Sequence, residues 1–471
     1  MSSRTIVALL LLAAGPALAQ RRPAEPNWAQ VEEETMRHFQ ALLRMDTSDP
    51  PGNEQPAVAY LRQVLEREGI PVEVYALEPN RPNLVARLKG SSRKRPILVM
   101  GHTDVVNVDS TKWRHPPFSA TREGGYVYGR GTVDDKDNVV ASLMTLLLLK
   151  RQNVPLDRDV IFLAEAGEEG TTRVGIQYMT EQHWPSIDAE YCLAEGGGSA
   201  RQGGQVRVSA VATTEKIPRA IELVARGPAG HGSVPLKGNA IAHLARAVSA
   251  VVAWRTPTRL NETTRTYFER LARNSPPEQA ARYRAVVGSD TAAAAAADAW
   301  FAEREPASAS TLRTSISPNM ISGGYRVNVI PSEARATLDV RMLPDENVEG
   351  FLEAVRRVVA DTAVTVRWAQ RDVRPGAAPS PLGSEAFRAI ESNVTKHYAA
   401  PTLPSMLTGA TDMAYLRAKG VQCYGIGPAV DLEDGPLGFG AHSDQERILE
   451  SELHRFVRFQ YDVVRELAGR R

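Results

Sequence analysis

The 471-residue chain is predicted to be an α/β protein, in which a mostly parallel sheet covered by helices carries an inserted, smaller ferredoxin-like βαββαβ unit. Three observations predict this. From about Ala57 to Ala212, apolar runs of strand type alternate with helical patterns, as expected of parallel strands lying under helices. From Ile217 to Trp368 the pattern changes to βαββαβ. After Pro375 the alternating style resumes, so the larger unit closes with the C-terminal segment.

The elements follow in order. Helix Ala57 to Glu68 precedes strands Val72 to Tyr75, Asn83 to Leu88 and Ile97 to Met100, and helix Asn138 to Lys150 leads to strand Asp159 to Ala164. The smaller unit reads as strand Ala220 to Ala225, helix Asn239 to Trp254, strands around Tyr325 to Val329 and Ala334 to Arg341, helix Val348 to Ala360 and strand Val364 to Trp368. Within it, about Arg255 to Ser310 is a helical insertion that includes the alanine run Ala292 to Ala297, read as a solvated helix without function. Helices Ser384 to Lys396 and Asp412 to Lys419, strand Gln422 to Ile426 and a last helix from Glu450 to Leu467 complete the chain. The expected boundaries are 20–214 and 373–471 for the larger unit and 215–372 for the smaller, with the insertion at about 255–310.

The first 19 residues read as an export signal: Arg4, an apolar run Ile6 to Ala14, a Gly15-Pro16 break, and Ala17-Leu18-Ala19 before Gln20. The run is shorter than the ~20 apolar residues of a spanning helix. A periplasmic or secreted protein without a membrane anchor after cleavage is expected. The two remaining cysteines, Cys192 and Cys423, sit in apolar strand contexts and read as buried thiols. With 56 Lys plus Arg against 55 Asp plus Glu, no long-range field draws the chain to nucleic acid or anionic membrane. Its partners are therefore expected to be small molecules or peptides.

The chemistry is carried by three polar clusters after strand-type runs: Gly101-His102-Thr103-Asp104, Gly131-Thr132-Val133-Asp134-Asp135-Lys136 and Ala166-Gly167-Glu168-Glu169-Gly170. Open α/β sheets place their sites at such carboxyl ends of strands. A metal-binding histidine usually gives its second ring nitrogen to a carboxylate, and His102-x-Asp104 puts both on one side of a strand end. Asp134 follows a glycine-rich turn opening a helix and can bridge two ions. Of the adjacent Glu168 and Glu169, one can ligate metal while the other takes a proton from the attacking water. Glu195 and His442 complete the set. Asp134, Glu169 and Glu195 supply three negative charges against four positive charges of two divalent ions, leaving one for the nucleophile. Two histidines and three carboxylates suit zinc, with cobalt or manganese as alternatives.

In this order, His-x-Asp, Gly-Arg-Gly-x-x-Asp-x-Lys, Glu-Glu-Gly, Glu-Gly-Gly, Gly-His-Gly-Ser and Ala-His-Ser-Asp, the chain resembles the di-zinc metallopeptidase family of aminoacylase, acetylornithine deacetylase, succinyl-diaminopimelate desuccinylase and glutamate carboxypeptidase. The resemblance implies a zinc-peptidase-like catalytic domain and a lid or dimerisation domain. It also implies that His102, Asp134 and Glu195 hold one zinc, and Asp134, Glu169 and His442 the other. By the same resemblance Glu168 is the general base and later the acid, Asp104 orients His102, and His231 stabilises the oxyanion, often across a dimer interface. Asn328 and Arg341, thirteen residues apart, match the pair that grips the substrate carboxylate.

Two positions depart from the family's usual pattern, Asp137-Asn138 after the lysine and Ala194-Glu195-Gly196. The second, with Trp113 to Phe118 and the insertion, is similar to the branch of Gly-X carboxypeptidases and N-acyl amino acid hydrolases. His38, His183, His243, His397 and His454 are expected to be solvated. His115 is either a cleft or a turn residue, and Asp412 either caps a helix or lies near the substrate. The implied activity is hydrolysis of a peptide or N-acyl amino acid beside a free carboxylate. An aminopeptidase, against which Arg341 argues, and a catalytically silent binding protein are the rivals. The small unit could form a homodimer or fold over its own site.

Overall fold

The structure is a computed structural model that describes residues 25–369 and 373–470, so the expected export signal lies outside the described residues. Among the described residues, no helix is long and apolar enough to cross a membrane.

A ten-stranded sheet organises the larger unit. Its spatial order is Val72–Ala76, Pro82–Leu88, Val160–Glu165, Ile97–His102, Tyr191–Ala194, Gln422–Gly425, Gln205–Glu215, Gly198–Gln202 and Ala429–Asp431, with Thr402–Leu407 also paired to Gln205–Glu215. Pairing is parallel through the centre, from Val160–Glu165 to Gln422–Gly425, and partly antiparallel towards both sides. The parallel centre has a plain cause: Ile97–His102 and Val160–Glu165 are buried at every position, as strands covered on both faces must be. One cover is the helix Lys136–Arg151, in which every residue from Lys136 to Leu149 is buried, the mark of a helix enclosed on all sides. It packs against Trp28–Leu43 and Glu450–Ala468. On the opposite face, Ile176–Gln182 and Met413–Ala418 bury Ile176, Met179, Met413 and Leu416 against Leu98, Met100 and Ile161. Cys192 and Cys423 are free, buried, and opposite one another on adjacent parallel strands.

The second sheet is wholly antiparallel, in the order Ser315–Gly323, Glu333–Met342, Ile217–Arg226, Val364–Trp368, and is backed by Ala240–Ala253 and Val348–Val359. The βαββαβ order holds, with one correction. The second strand is Ser315–Gly323, whereas of the stretch from Tyr325 to Val329 only Val329 is paired, opposite His231. Ser315–Gly323 contains Pro318, carries a bulge, and is exposed from Ser317 onward. Such an edge strand tolerates proline and shows no apolar alternation, which hides it from a pattern reading.

The insertion consists of helices Glu262–Arg273, Pro277–Val287, Thr291–Arg304 and Pro306–Thr311 around their own core of Phe268, Tyr283 and Phe301. The Phe301 ring stacks on both Phe268 and Tyr283, with centroids 5.8 and 5.7 Å away. The expectation of solvated histidines is corrected for His38, which is buried with Nδ1 2.7 Å from the Tyr60 hydroxyl, and for His183, whose ring lies 4.1 Å from that of Tyr75. His243 and His397 pair with Asp361 and Asp462 at 2.5 and 2.8 Å. In each case a partner from a distant segment covers the ring.

The two sheets meet at Glu215 and Lys216. Glu215 accepts hydrogen bonds from Thr411 N and Oγ1 and from Arg417. Lys216 is fully buried and donates to the Ser310 carbonyl at 2.7 Å and to the hydroxyls of Ser310 and Ser315. Burial first, and then the charges of Arg341 and Arg313, bring its pKa down from 10.5 to about 7. Between those two values the unfolded chain holds a proton that the folded chain lacks, so stability rises with pH across this window. The rise should be smaller in Lys216→Met when denaturant unfolding of both proteins is compared across the window. An identical pH dependence would show that this ammonium does not titrate with folding.

Candidate metal centre

Each polar cluster stands where the sheet ends. His102 closes the strand Ile97–His102, Glu168 and Glu169 follow Val160–Glu165, Glu195 follows Tyr191–Ala194, and Asp134 lies just before the helix Lys136–Arg151. His442 enters from the loop that precedes Arg447–Leu449. Two glycines allow this crowding. Gly167, at φ +77°, lies so close to the Thr171 carbonyl that an added Cβ would stand 2.5 Å from it, and Gly196, at φ +89°, leaves no room for one beside Leu407.

Asp134 is the meeting point. His102 Nε2 lies 3.1 Å from its Oδ1 and His442 Nε2 3.1 Å from its Oδ2, while the same His442 atom is 3.0 Å from Glu169 Oε1. Two sets of potential ligand atoms result, His102, Asp134 and Glu195, and Asp134, Glu169 and His442, each lying within 4.8 Å of one another. Asp134 belongs to both. The structure thus brings together the five residues expected as ligands, in the two groups that the resemblance implies.

The charges show what the sets are suited to hold. Burial raises the pKa of Glu195 well above the usual carboxylate range, and that of Glu169 as well. His442 is pushed up to about 10 by its hydrogen bonds to Asp134 and Glu169. Burial alone would depress His102, yet the hydrogen bond to Asp134 and the nearby acids raise it well above the ordinary value. Crowded carboxylates thus draw positive charge onto both imidazoles, and cations held between the same atoms would take the place of those protons. The imidazole nitrogens and carboxylate oxygens fit two metal ions.

Asp104 meets the His102 ring through its backbone rather than through its carboxylate. His102 Nδ1 is 3.0 Å from the main-chain carbonyl of Asp104 and 3.6 Å from its carboxylate, and that carboxylate accepts the N–H groups of Glu168 and Glu169 at 3.3 and 2.9 Å. It therefore joins the two clusters. A third acidic group, Asp49, Glu54 and Asp104, lies behind it, and there the Arg81 guanidinium sits 2.5 Å from Asp49 and 2.6 Å from Glu54. The last segment is fastened by Glu446, whose carboxylate accepts from Arg130, Gly131 N and Val133 N.

Arg374 is the residue that the sequence did not disclose. Its Nη2 donates to Glu168 Oε1 at 2.8 Å and to the Glu168 carbonyl at 3.1 Å, and its Nη1 lies 3.2 Å from Asp412. Asp412 makes no capping hydrogen bond to the helix Met413–Ala418 and is buried against this guanidinium, so it stands beside the site. No spacing signal marks Arg374, because the chain reaches Glu168 only after passing through the whole smaller unit. His115 pairs with Glu123 at 2.9 Å and packs on Tyr128.

The three residues expected from the smaller unit do not gather. Asn328 stands beside His231, for Gly232 N donates to the Asn328 carbonyl at 2.8 Å. Arg341 pairs with Pro218 at the other end of the sheet, next to the junction at Glu215 and Lys216, and bonds to Asp339 at 2.8 Å. Ile217 to Arg226 is nine residue steps, roughly 30 Å of strand, and His231 follows beyond that far end, in a short strand paired with Val329.

Residues 98–466 match the family described as peptidase family M20/M25/M40. The chain belongs to that family. It is 28% identical over 403 residues to the probable carboxypeptidase S-like 2 of Dictyostelium discoideum, covering 81% of this chain and 74% of that one. It is 24% identical over 431 residues to human aminoacylase-1, covering 90% and 93%. In fold it is similar to the M20 family metallo-carboxypeptidase Sso-CP2 from Sulfolobus solfataricus, with a TM-score of 0.69 at 19% identity over 92% of this chain and 98% of that one. This M20 member is accordingly a hydrolytic enzyme.

Arg374→Ala should lower turnover roughly ten- to a hundredfold, the equivalent of the ~1.5–3 kcal/mol of a hydrogen bond to a charged group, with metal content unchanged. Arg374→Lys should recover part of it. Steady-state kinetics beside metal analysis checks this, and either unaltered turnover or a loss of metal would contradict the role.

Proposed function

We propose that this M20 enzyme is exported, binds two zinc ions per chain, and cleaves an amide or peptide bond next to a free carboxylate in the manner of a carboxypeptidase. One observation carries the reading: Glu168 belongs to neither ligand set, yet it is the immediate neighbour of the ligand Glu169 and is held in place by Arg374 and by Asp104. It is free for proton transfer. When bound, the two ions would lower the pKa of a water and polarise the scissile carbonyl. Glu168 would take the proton of the attacking water and pass it to the leaving amine.

Arg341, paired with Asp339 near the junction at Glu215 and Lys216, would offer its remaining guanidinium donors to the substrate's carboxylate, and its planar shape suits bidentate binding. The placement of His231 and Asn328 at the end of the smaller sheet opposite its junction with the larger unit favours their acting from a second copy of the chain, where His231 would support the developing oxyanion. The exposed edge strand Ser315–Gly323, with Met320 and Ile321 bare to solvent, offers a surface for that homodimer. The similarity to human aminoacylase-1 over 90% of the chain keeps N-acyl amino acids as the alternative substrates.

A panel of dipeptides and N-acyl amino acids, incubated with zinc-loaded protein with and without a chelator, tests this function. Cleavage beside the free carboxylate that the chelator abolishes is expected, whereas release of N-terminal residues alone would point to an aminopeptidase. Glu168→Ala should keep both ions and lose turnover; full activity in that variant would end the proposed mechanism. His231→Ala should depress turnover while leaving metal content intact, and metal loss instead would contradict its role.

A further inference from the structure

The helical insertion has so far no part in the chemistry, yet it forms one wall of a cavity of about 250 Å³. Thr264 and Tyr267 from Glu262–Arg273 and Ala307 and Thr311 from Pro306–Thr311 face Met406 and Leu407, at the end of the strand Thr402–Leu407. The lining is apolar and hydroxylic, without a charged side chain. Its two walls are tied together: Arg270 donates to the Thr402 carbonyl at 2.9 Å, and Asn261 Nδ2 lies 3.8 Å from Met406 Sδ. The cavity is therefore preformed.

It also adjoins the metal centre. Leu407, which lines it, presses on Gly196 so closely that an added Cβ would stand 2.6 Å from Leu407 Cδ1, and Gly196 directly follows the ligand Glu195. On the rim, Thr408 and Gly409 are exposed and lead within three residues to Asp412, beside Arg374 and Glu168. A volume of about 250 Å³ is below the ~300–1,000 Å³ of sites that enclose a whole drug-sized ligand. It suits one arm of a larger molecule whose remainder lies at the metals.

We propose that this cavity is a specificity pocket that receives an uncharged, apolar arm of the substrate, an acyl chain or large apolar side chain, and that the insertion exists to build it. The inference rests on the reading of the metal centre as the place of amide cleavage. Each methylene buried there contributes about a fourfold gain in kcat/KM, the fold-change of ~0.8 kcal/mol.

The test uses zinc-loaded protein and N-acetyl, N-hexanoyl and N-decanoyl derivatives of one amino acid, together with calorimetric binding of decanoate. Ala307→Phe and Ser405→Phe place a ring in the cavity from opposite walls, so that one variant serves if the other fails to fold. The expected result is that kcat/KM rises with chain length in the unaltered protein. Both variants should keep N-acetyl turnover within about twofold and lose the long-chain gain and decanoate binding by tenfold or more. Equal kcat/KM for all chains, or variants that leave long-chain turnover unchanged, would overturn the pocket. If no amide is cut but decanoate binds and the variants abolish it, the proposed function fails while the pocket stands. Absence of both cleavage and binding would overturn the pocket too.

Discussion

Everything at this site depends on one carboxylate shared by two histidines. Asp134 presents one oxygen to His102 and the other to His442, at 3.1 Å each, and so makes a single centre out of segments more than three hundred residues apart in sequence. Such sharing is costly without positive charge, because three carboxylates that are buried or partly buried converge on one spot. The raised imidazoles mark that demand, and cations would meet it.

The surrounding structure manages the same excess of acid. Arg81 neutralises Asp49 and Glu54 behind Asp104, Arg130 neutralises Glu446, and Arg374 stands between Glu168 and Asp412. In each case a guanidinium is chosen, which can hold two acceptors at once and stays charged when buried. Removal of any one would leave a buried acid uncompensated. The strands supply stiffness: His102 and the Glu168-Glu169 loop issue from neighbouring parallel strands that are covered on both faces, so the positions of their side chains follow from the sheet.

Much of this was legible in the sequence because it is local. Short polar motifs in a recognisable order marked the five residues that gather around Asp134, and Glu168 beside them, and the alternation of elements revealed the two sheets. What stayed hidden is non-local or irregular. Arg374 meets Glu168 across a separation of 206 residues, with no motif to announce it. Ser315–Gly323 carries a proline and an exposed face, so its pairing with Glu333–Met342 left no apolar rhythm. Asn328 and Arg341 show the converse: their spacing suggested a joint role, but the strand Glu333–Met342, which starts just after Asn328 and holds Arg341 near its far end, places them at opposite ends of the sheet.

The central claim is that Asp134 belongs to both metal sets, and metal content by elemental analysis tests it most directly. The unaltered protein should carry two ions per chain, His442→Ala should retain one, and Asp134→Ala should retain essentially none. An Asp134→Ala protein that still binds two ions, or one that loses no more than His442→Ala does, would contradict the account.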